Sequence, residues 1–181
     1  MSAIKKDTKL KVSDVILQKG EDCSDYLTVP LFQVNMRLYN TLDGYRKVVT
    51  AAINHMKNIM KNDKFVDYPE LAGISGANVG IPWNIVVVRT AGRKSDMLTM
   101  INPVVCSVSR KKITVHSNCG SLNLPKAIPV ERREWVEVSY FDEDGKKQMS
   151  KFSSPAIRVG TIQHEIDHNR GVLITDTHRH L

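Results

Sequence analysis

"QHEIDHNRG", residues 163–171, contains His-Glu-x-x-His. On a helix, His164 and His168 stand one turn apart and share a face, so both imidazoles can reach one cation, with Glu165 beside them as a candidate general base. The flanking residues predict that helix: Ser154 as N-cap, Pro155 at the first position and Gly171 placed to end it. Two histidines need at least one further ligand. One extended zinc pattern sets a third histidine six residues after the second; Gly171 matches it, but Ile174 holds the histidine position. Another uses a downstream glutamate, yet only thirteen residues follow His168 and none is glutamate. His178 and His180 belong to the terminal tail, where chains fray. The third ligand is therefore expected upstream.

Working back from that helix, "EWVEVSYFDEDGKKQMSKF" (134–152) reads as a hairpin: Val136, Val138 and Tyr140 alternate, and Asp-Glu-Asp-Gly makes the turn. "RKKITVHSNCGSLNLP" (110–125) and "SDMLTMINPVV" (95–105) read as further strands, broken at Gly120 and at Asn102-Pro103, and "NIVVVRT" (84–90) as a short β-branched strand. Between Asp43 and about Lys61, the residues Val49, Ala52, Ile53, Met56 and Met60 recur at helical spacing and predict an amphipathic helix with a core-facing stripe. Residues 1–40 read as irregular segments with one short helix. A helix, several strands and a C-terminal helix predict an α+β fold, with antiparallel or mixed sheets packed around the helix that carries the histidines. A length of 181 residues fits one domain with a real core.

Hydrophobic content of 41% and charged content of 25% are those of a globular protein, and the longest aliphatic run, Ile85–Val88, is far too short to span a bilayer. No membrane partner is expected, and the opening residues lack the apolar stretch of a secretory signal. Cys23, Cys106 and Cys119 are odd in number and widely spaced, which argues for a reducing compartment rather than a disulfide framework. The formal charge is +7, but clusters such as "RKK" at 110 and "ERRE" at 131 are scattered and mostly interrupted by acids. That pattern predicts a solvated basic surface and weak attraction to an anionic partner such as the ribosome, with no sequence-specific nucleic-acid binding.

Three stretches, "GISGANVG" (73–80), "CGSLNLP" (119–125) and "QHEIDHNRG" (163–171), stand in the order and approximate spacing of the three motifs of peptide deformylases. "MINPVV" before the second and "DEDGK" after it also resemble that family, so the resemblance covers about residues 70–176. It implies removal of the formyl group from N-formylmethionyl peptides by a divalent ion (Fe²⁺, Zn²⁺, Ni²⁺ or Co²⁺), with formylated nascent peptides as partners. It also implies a cytoplasmic location for a bacterial member and a mitochondrial or other organellar one for a eukaryotic member.

The resemblance assigns roles to residues and exposes departures. His164, Glu165 and His168 match. The family's third ligand is the middle motif's cysteine, and its position here is Ser121; the motif's glutamate position is Cys119 and its serine is Asn123. A serine hydroxyl holds a divalent ion far more weakly than a thiolate. Cys119 is the alternative metal ligand. On an extended strand it would lie about 6.5 Å from Ser121 between Cα atoms, so the chain must bend at Gly120 for Cys119 to reach the same ion. In the first motif the family glutamine, an amide donor to the reacting oxygen, is Asn78, shorter by about 1.5 Å; the second donor implied is the backbone N–H of Leu122. Ile157, Gly160, Thr161 and His164 share a helix face, and the resemblance implies that this face, with Gly76, lines the pocket for the substrate's first side chain. Gly160 either widens that pocket or permits close packing against the sheet. Gln163 is read as a structural hydrogen-bonder. Two other readings stand beside the hydrolase: a catalytically impaired deformylase fold that binds peptide N-termini or the ribosome, and a zinc peptidase with another substrate, disfavoured by the missing downstream ligands.

Overall fold

Strict alternation along "IVVVR" sets the layering of the molecule. In the computed structural model, which describes residues 30–61, 71–90, 96–122, 124–153 and 159–176, Ile85 and Val87 enter one apolar cluster and Val86 and Val88 another, on opposite faces of the same strand. The described elements run α1 (Met36–Thr41), α2 (Asp43–Lys61), β1 (Gly73–Ser75), a 3₁₀ turn (Ala77–Val79), β2 (Ile85–Arg89), β3 (Met97–Val108), β4 (Lys112–Ser117), β5 (Ile128–Arg133), β6 (Trp135–Phe141), β7 (Lys147–Ser153) and α3 (Val159–Asn169). Five strands form an antiparallel sheet in the order β1-β2-β3-β6-β7, and β4 pairs with β5 in a separate ribbon. This is the expected α+β fold with a histidine-bearing C-terminal helix. A β2 buried on both faces must be apolar at every position, hence the unbroken Ile-Val-Val-Val.

Helix α2 covers one face of the sheet. Its buried residues are Val49, Ala52, Ile53, Met56 and Met60, the stripe read from the spacing. Helix α3 lies on the other face, where Val159, Ile162 and Ile166 pack against Val86, Val88, Met100, Val136 and Val138. A third cluster, Ala77, Cys119, Leu122, Val130 and Ile174, joins the ribbon to the first-motif turn. Gln163 closes the gap between α3 and β5: its Oε1 accepts from Arg133 N–H at 2.9 Å and its Nε2 donates to Arg133 C=O at 2.9 Å, the structural role expected of it.

Two local features follow from side-chain chemistry. The Asn102-Pro103 step does not end a strand; it forms a bulge inside β3, with Asn102 at φ 54° and the register to β6 shifting there. Asparagine tolerates that backbone, and its amide here pairs with both N–H and C=O of Val34, pinning the entry to α1. The hairpin turn is the expected Asp142–Gly145, with Gly145 at φ 78°. At the end of α3, Gly171 at φ 72° donates to His168 C=O at 3.0 Å and Val172 to Asp167 C=O at 2.9 Å, a Schellman closure. The expected helix start at Ser154 and Pro155 lies outside the described residues, as do His178 and His180. Among the described residues, no helix is long and apolar enough to cross a membrane.

Candidate metal centre

The helical repeat of α3 brings His164 and His168 together: their rings are 4.3 Å apart between centroids and their Nε2 atoms 3.0 Å apart. His168 is fully buried, whereas His164 is half-buried. The loop after β4 brings in a third group. Cys119 Sγ lies 3.3 Å from His168 Nε2, and the ligand atoms of Cys119, His164 and His168 all fall within 4.8 Å of one another. The chain bends where the cysteine needs it to: Leu122 N–H donates to Cys119 C=O at 3.3 Å, folding 119–122 into a turn in place of an extended strand.

Ser121, expected as the ligand, is buried beside the cluster with its hydroxyl engaged elsewhere: Asn78 Nδ2 donates to Ser121 Oγ at 2.8 Å. The Asn78 carboxamide oxygen in turn accepts from Ser75 N–H at 2.7 Å and Ser75 Oγ at 2.6 Å. The two expected oxyanion donors, Asn78 and Leu122, therefore flank the same buried turn as Cys119 and Ser121.

The glycines of the site are placed by contact. A Cβ on Gly73 would sit 2.7 Å from Thr161 Cγ2 and 2.9 Å from Glu165 Cγ, so β1 approaches α3 closely because position 73 has no side chain. Gly76 packs against backbone: a Cβ there would meet the carbonyl oxygens of Trp83 at 2.4 Å and Ile81 at 2.9 Å. Gly160 faces the ribbon, with Val115 methyls 3.6–3.7 Å from where its Cβ would be, so the space opposite it is one methyl deep. Thr161 is half-buried against Gly73; Ile157 lies outside the described residues.

Burial dominates the electrostatics. It pushes Glu165 up to about 8, the nearby Arg132 charge opposing it only in part. Burial holds His168 down to about 4, the Arg132 charge adding to it and the Val172 carbonyl opposing it. The Cys119 thiol is raised to about 12 by burial; the Ser121 N–H draws it back, the Glu165 charge pushes it further up, and the Leu122 N–H and Ser121 hydroxyl favour its ionised form.

Sequence reasoning missed Arg132. Read as part of a solvated "ERRE" cluster, it is in fact fully buried on the inward side of β5 and paired with Asp167 of α3, itself 2% exposed. The available signal was alternation: Val130 and Arg132 point in while Pro129 and Glu131 point out. Asn169 is a second omission; its amide nitrogen donates to Asn84 Oδ1 and to Ile85 C=O, both at 3.0 Å, tying the end of α3 to β2.

The donor set suits a borderline divalent ion. Two imidazoles and one sulfur converge from two elements, in the company of a carboxylate whose Oε2 is buried without a hydrogen-bond partner among the described residues. A thiol and a nearby carboxyl that burial keeps protonated are groups whose ionisation a cation restores.

Comparison with known proteins gives the same assignment. The polypeptide deformylase family model matches residues 29–181. A peptide deformylase of Brucella suis biovar 1 is 34% identical over 117 residues, 63% of this chain and 64% of that protein. One of Synechocystis sp. is 36% identical over 107 residues, 58% and 55% of the two chains. The matched stretch thus spans less than two thirds of these relatives' length. The fold superposes on a class I type b peptide deformylase from Acinetobacter baumannii with a TM-score of 0.69 at 22% identity, covering 88% of this chain and 94% of that one. A probable peptide deformylase from synechococcus phage S-SSM7 gives 0.68 at 25% identity, with 87% and 95% covered. With three motifs, one fold and a family match across most of its length, this chain belongs to the polypeptide deformylase family.

Proposed function

We propose that the protein hydrolyses the formamide of N-formylmethionyl peptides, with a divalent ion (Fe²⁺, Zn²⁺, Ni²⁺ or Co²⁺) held by His164, His168 and Cys119. The observation that carries this reading is the convergence of one sulfur and two imidazole nitrogens within 4.8 Å beside a buried carboxylate. When bound, such an ion supplies Lewis acidity, polarising a carbonyl and bringing loss of a water proton within reach of neutral pH. Glu165 then accepts that proton as the water oxygen adds to the formyl carbon, and returns it to the amine as the C–N bond breaks, releasing formate and a free N-terminus. Glu165 is proton-loaded near neutrality when no cation is present and ionises once positive charge sits beside it. With one Asn78 Nδ2 hydrogen given to Ser121 Oγ, the second is the donor left for the oxygen that becomes negative, while the Leu122 N–H, the other donor implied by the resemblance, is given to the Cys119 carbonyl at 3.3 Å.

Thr161, Gly160, Gly76 and Ile157 are assigned to the pocket for the first side chain. The Acinetobacter baumannii relative was solved with Met-Ala-Ser bound, which supports a methionine-led peptide as the substrate class. A ligand thiol suits a reducing compartment. The net charge of +7 favours weak contact with the ribosome that delivers such peptides.

The test pairs elemental analysis of the purified protein with formate release from formyl-Met-Ala-Ser. One metal per chain with turnover is expected. Protein that neither retains metal nor releases formate after addition of Fe²⁺, Zn²⁺, Ni²⁺ or Co²⁺ would overturn this reading in favour of a catalytically impaired deformylase fold that binds peptide N-termini or the ribosome.

A further inference from the structure

Three of the four positions that depart from the family pattern, Asn78, Cys119 and Ser121, meet in one buried arrangement. Ser75 N–H can only donate, so the Asn78 oxygen must face it, and the Ser75 hydroxyl donates to the same oxygen. The amide orientation is thereby set, and Asn78 Nδ2 is left pointing at Ser121 Oγ, 2.8 Å away. That hydroxyl accepts one hydrogen and keeps its own to give, and Cys119 lies two residues back in the same tight turn. Ser75 is 0% exposed, Asn78 7%, Ser121 4% and Cys119 2%, so water offers these groups little alternative.

We propose that Ser121 is not a metal ligand but a positioning residue, which Asn78 orients so that its hydroxyl donates to the Cys119 sulfur and aims it at the cation held by His164 and His168. The order of donation is Ser75 to Asn78, Asn78 to Ser121, Ser121 to Cys119. These three departures are then one coupled change: the ligand sits two residues earlier, the former ligand position supports it, and the shorter amide reaches that supporting serine. Hydrogen bonds to a ligand sulfur hold its direction and offset the charge it carries when coordinated. The inference rests on the ligand set of the preceding section, and the experiment separates the two.

Metal-free full-length protein is titrated with Co²⁺, reading the sulfur-to-cobalt charge-transfer absorption, and its Zn²⁺ affinity is measured by competition with a chromophoric chelator. Ser121→Ala is expected to weaken Zn²⁺ binding ~10–100-fold and to shift the charge-transfer band, the range typical of lost partners to metal ligands. Asn78→Ala should do the same, and the double variant should be little worse than either single one, as for two residues acting through one path. Ser121→Thr, which keeps the hydroxyl, should restore the band. Either alanine variant with unchanged affinity and spectrum overturns the proposal, as do losses that simply add. If the band survives Cys119→Ala, or is missing from the wild type, the ligand set itself is wrong and this inference falls with it. A band that depends on Cys119 but not on Ser121 defeats the positioning role alone.

Discussion

Cys119 Sγ and His168 Nε2 are 49 residues apart in sequence and 3.3 Å apart in space. Two things produce that approach. Gln163 locks α3 to β5 through both its amide atoms, and the 119–122 turn at the end of the β4–β5 ribbon rotates the cysteine toward the helix. The turn brings the sulfur within 4.8 Å of the imidazole pair.

Cys119→Ala should therefore remove the metal while leaving the fold intact. Zinc affinity is expected to fall by more than about 100-fold, beyond the ~10–100-fold typical of losing a partner to a ligand. Metal content by elemental analysis after dialysis against a chelator is the check, and a variant that still carries one ion per chain would return the role to Ser121.

Gly73→Ala probes the contact between β1 and the Glu165 side chain. The new methyl would press on Thr161 and Glu165 side chains at 2.7 and 2.9 Å, and both must move. Overpacking of this kind costs about 1–3 kcal/mol in denaturant unfolding, and formate release should drop at least ~10-fold because Glu165 is displaced from its place beside the ligands. Full activity in the alanine variant would show that Glu165 needs no such exact seat.

Asp167→Asn breaks the buried pair with Arg132. A guanidinium at 0% exposure, with Nε and Nη2 lacking partners among the described residues, would lose the carboxylate it is paired with. The expected cost is about 3–5 kcal/mol, the range for one-sided loss of a buried ion pair. Arg132→Met combined with Asp167→Leu should recover most of it, since no uncompensated charge remains; equal instability of the single and double variants would disprove the electrostatic account.

Removing the metal should expose a pH dependence of stability. Glu165, raised from 4.5 to about 8 by burial, binds its proton more tightly in the folded state, so stability falls as pH rises through that window. His168, lowered from 6.5 to about 4, has the opposite sign: stability rises with pH between those values. The two offset up to pH 6.5, and from there to about 8 Glu165 acts alone. At 1.36 kcal/mol per unit, metal-free protein should lose about 2 kcal/mol across that interval, or about 4–8 °C in Tm. Thermal melts at both pH values test it. Glu165→Gln should flatten the trend, and a slope that persists in that variant would assign it to another group.

Much of this molecule could be read before its coordinates. The α2 stripe, the β6–β7 hairpin and the spacing of His164, Glu165 and His168 are consequences of helical and strand periods, which act over a few residues and leave their trace in the chain itself. The choice between Cys119 and Ser121 was not legible in the same way. A strand geometry would send both side chains to one side, and only the turn across Gly120, set by contacts with α3 and the 3₁₀ turn, separates them. Arg132 was hidden for a related reason: a charged residue reads as solvated until an acid from a distant helix is brought against it.

By itself, the sequence determined that a helix presents two imidazoles and a carboxylate on adjoining faces, because 3.6 residues per turn leaves no other arrangement. Tertiary structure decided which sulfur or oxygen meets them, how close β1 can come, and which charges are buried. Those outcomes depend on groups far apart along the chain, whose meeting follows from packing around a shared core and not from any local repeat.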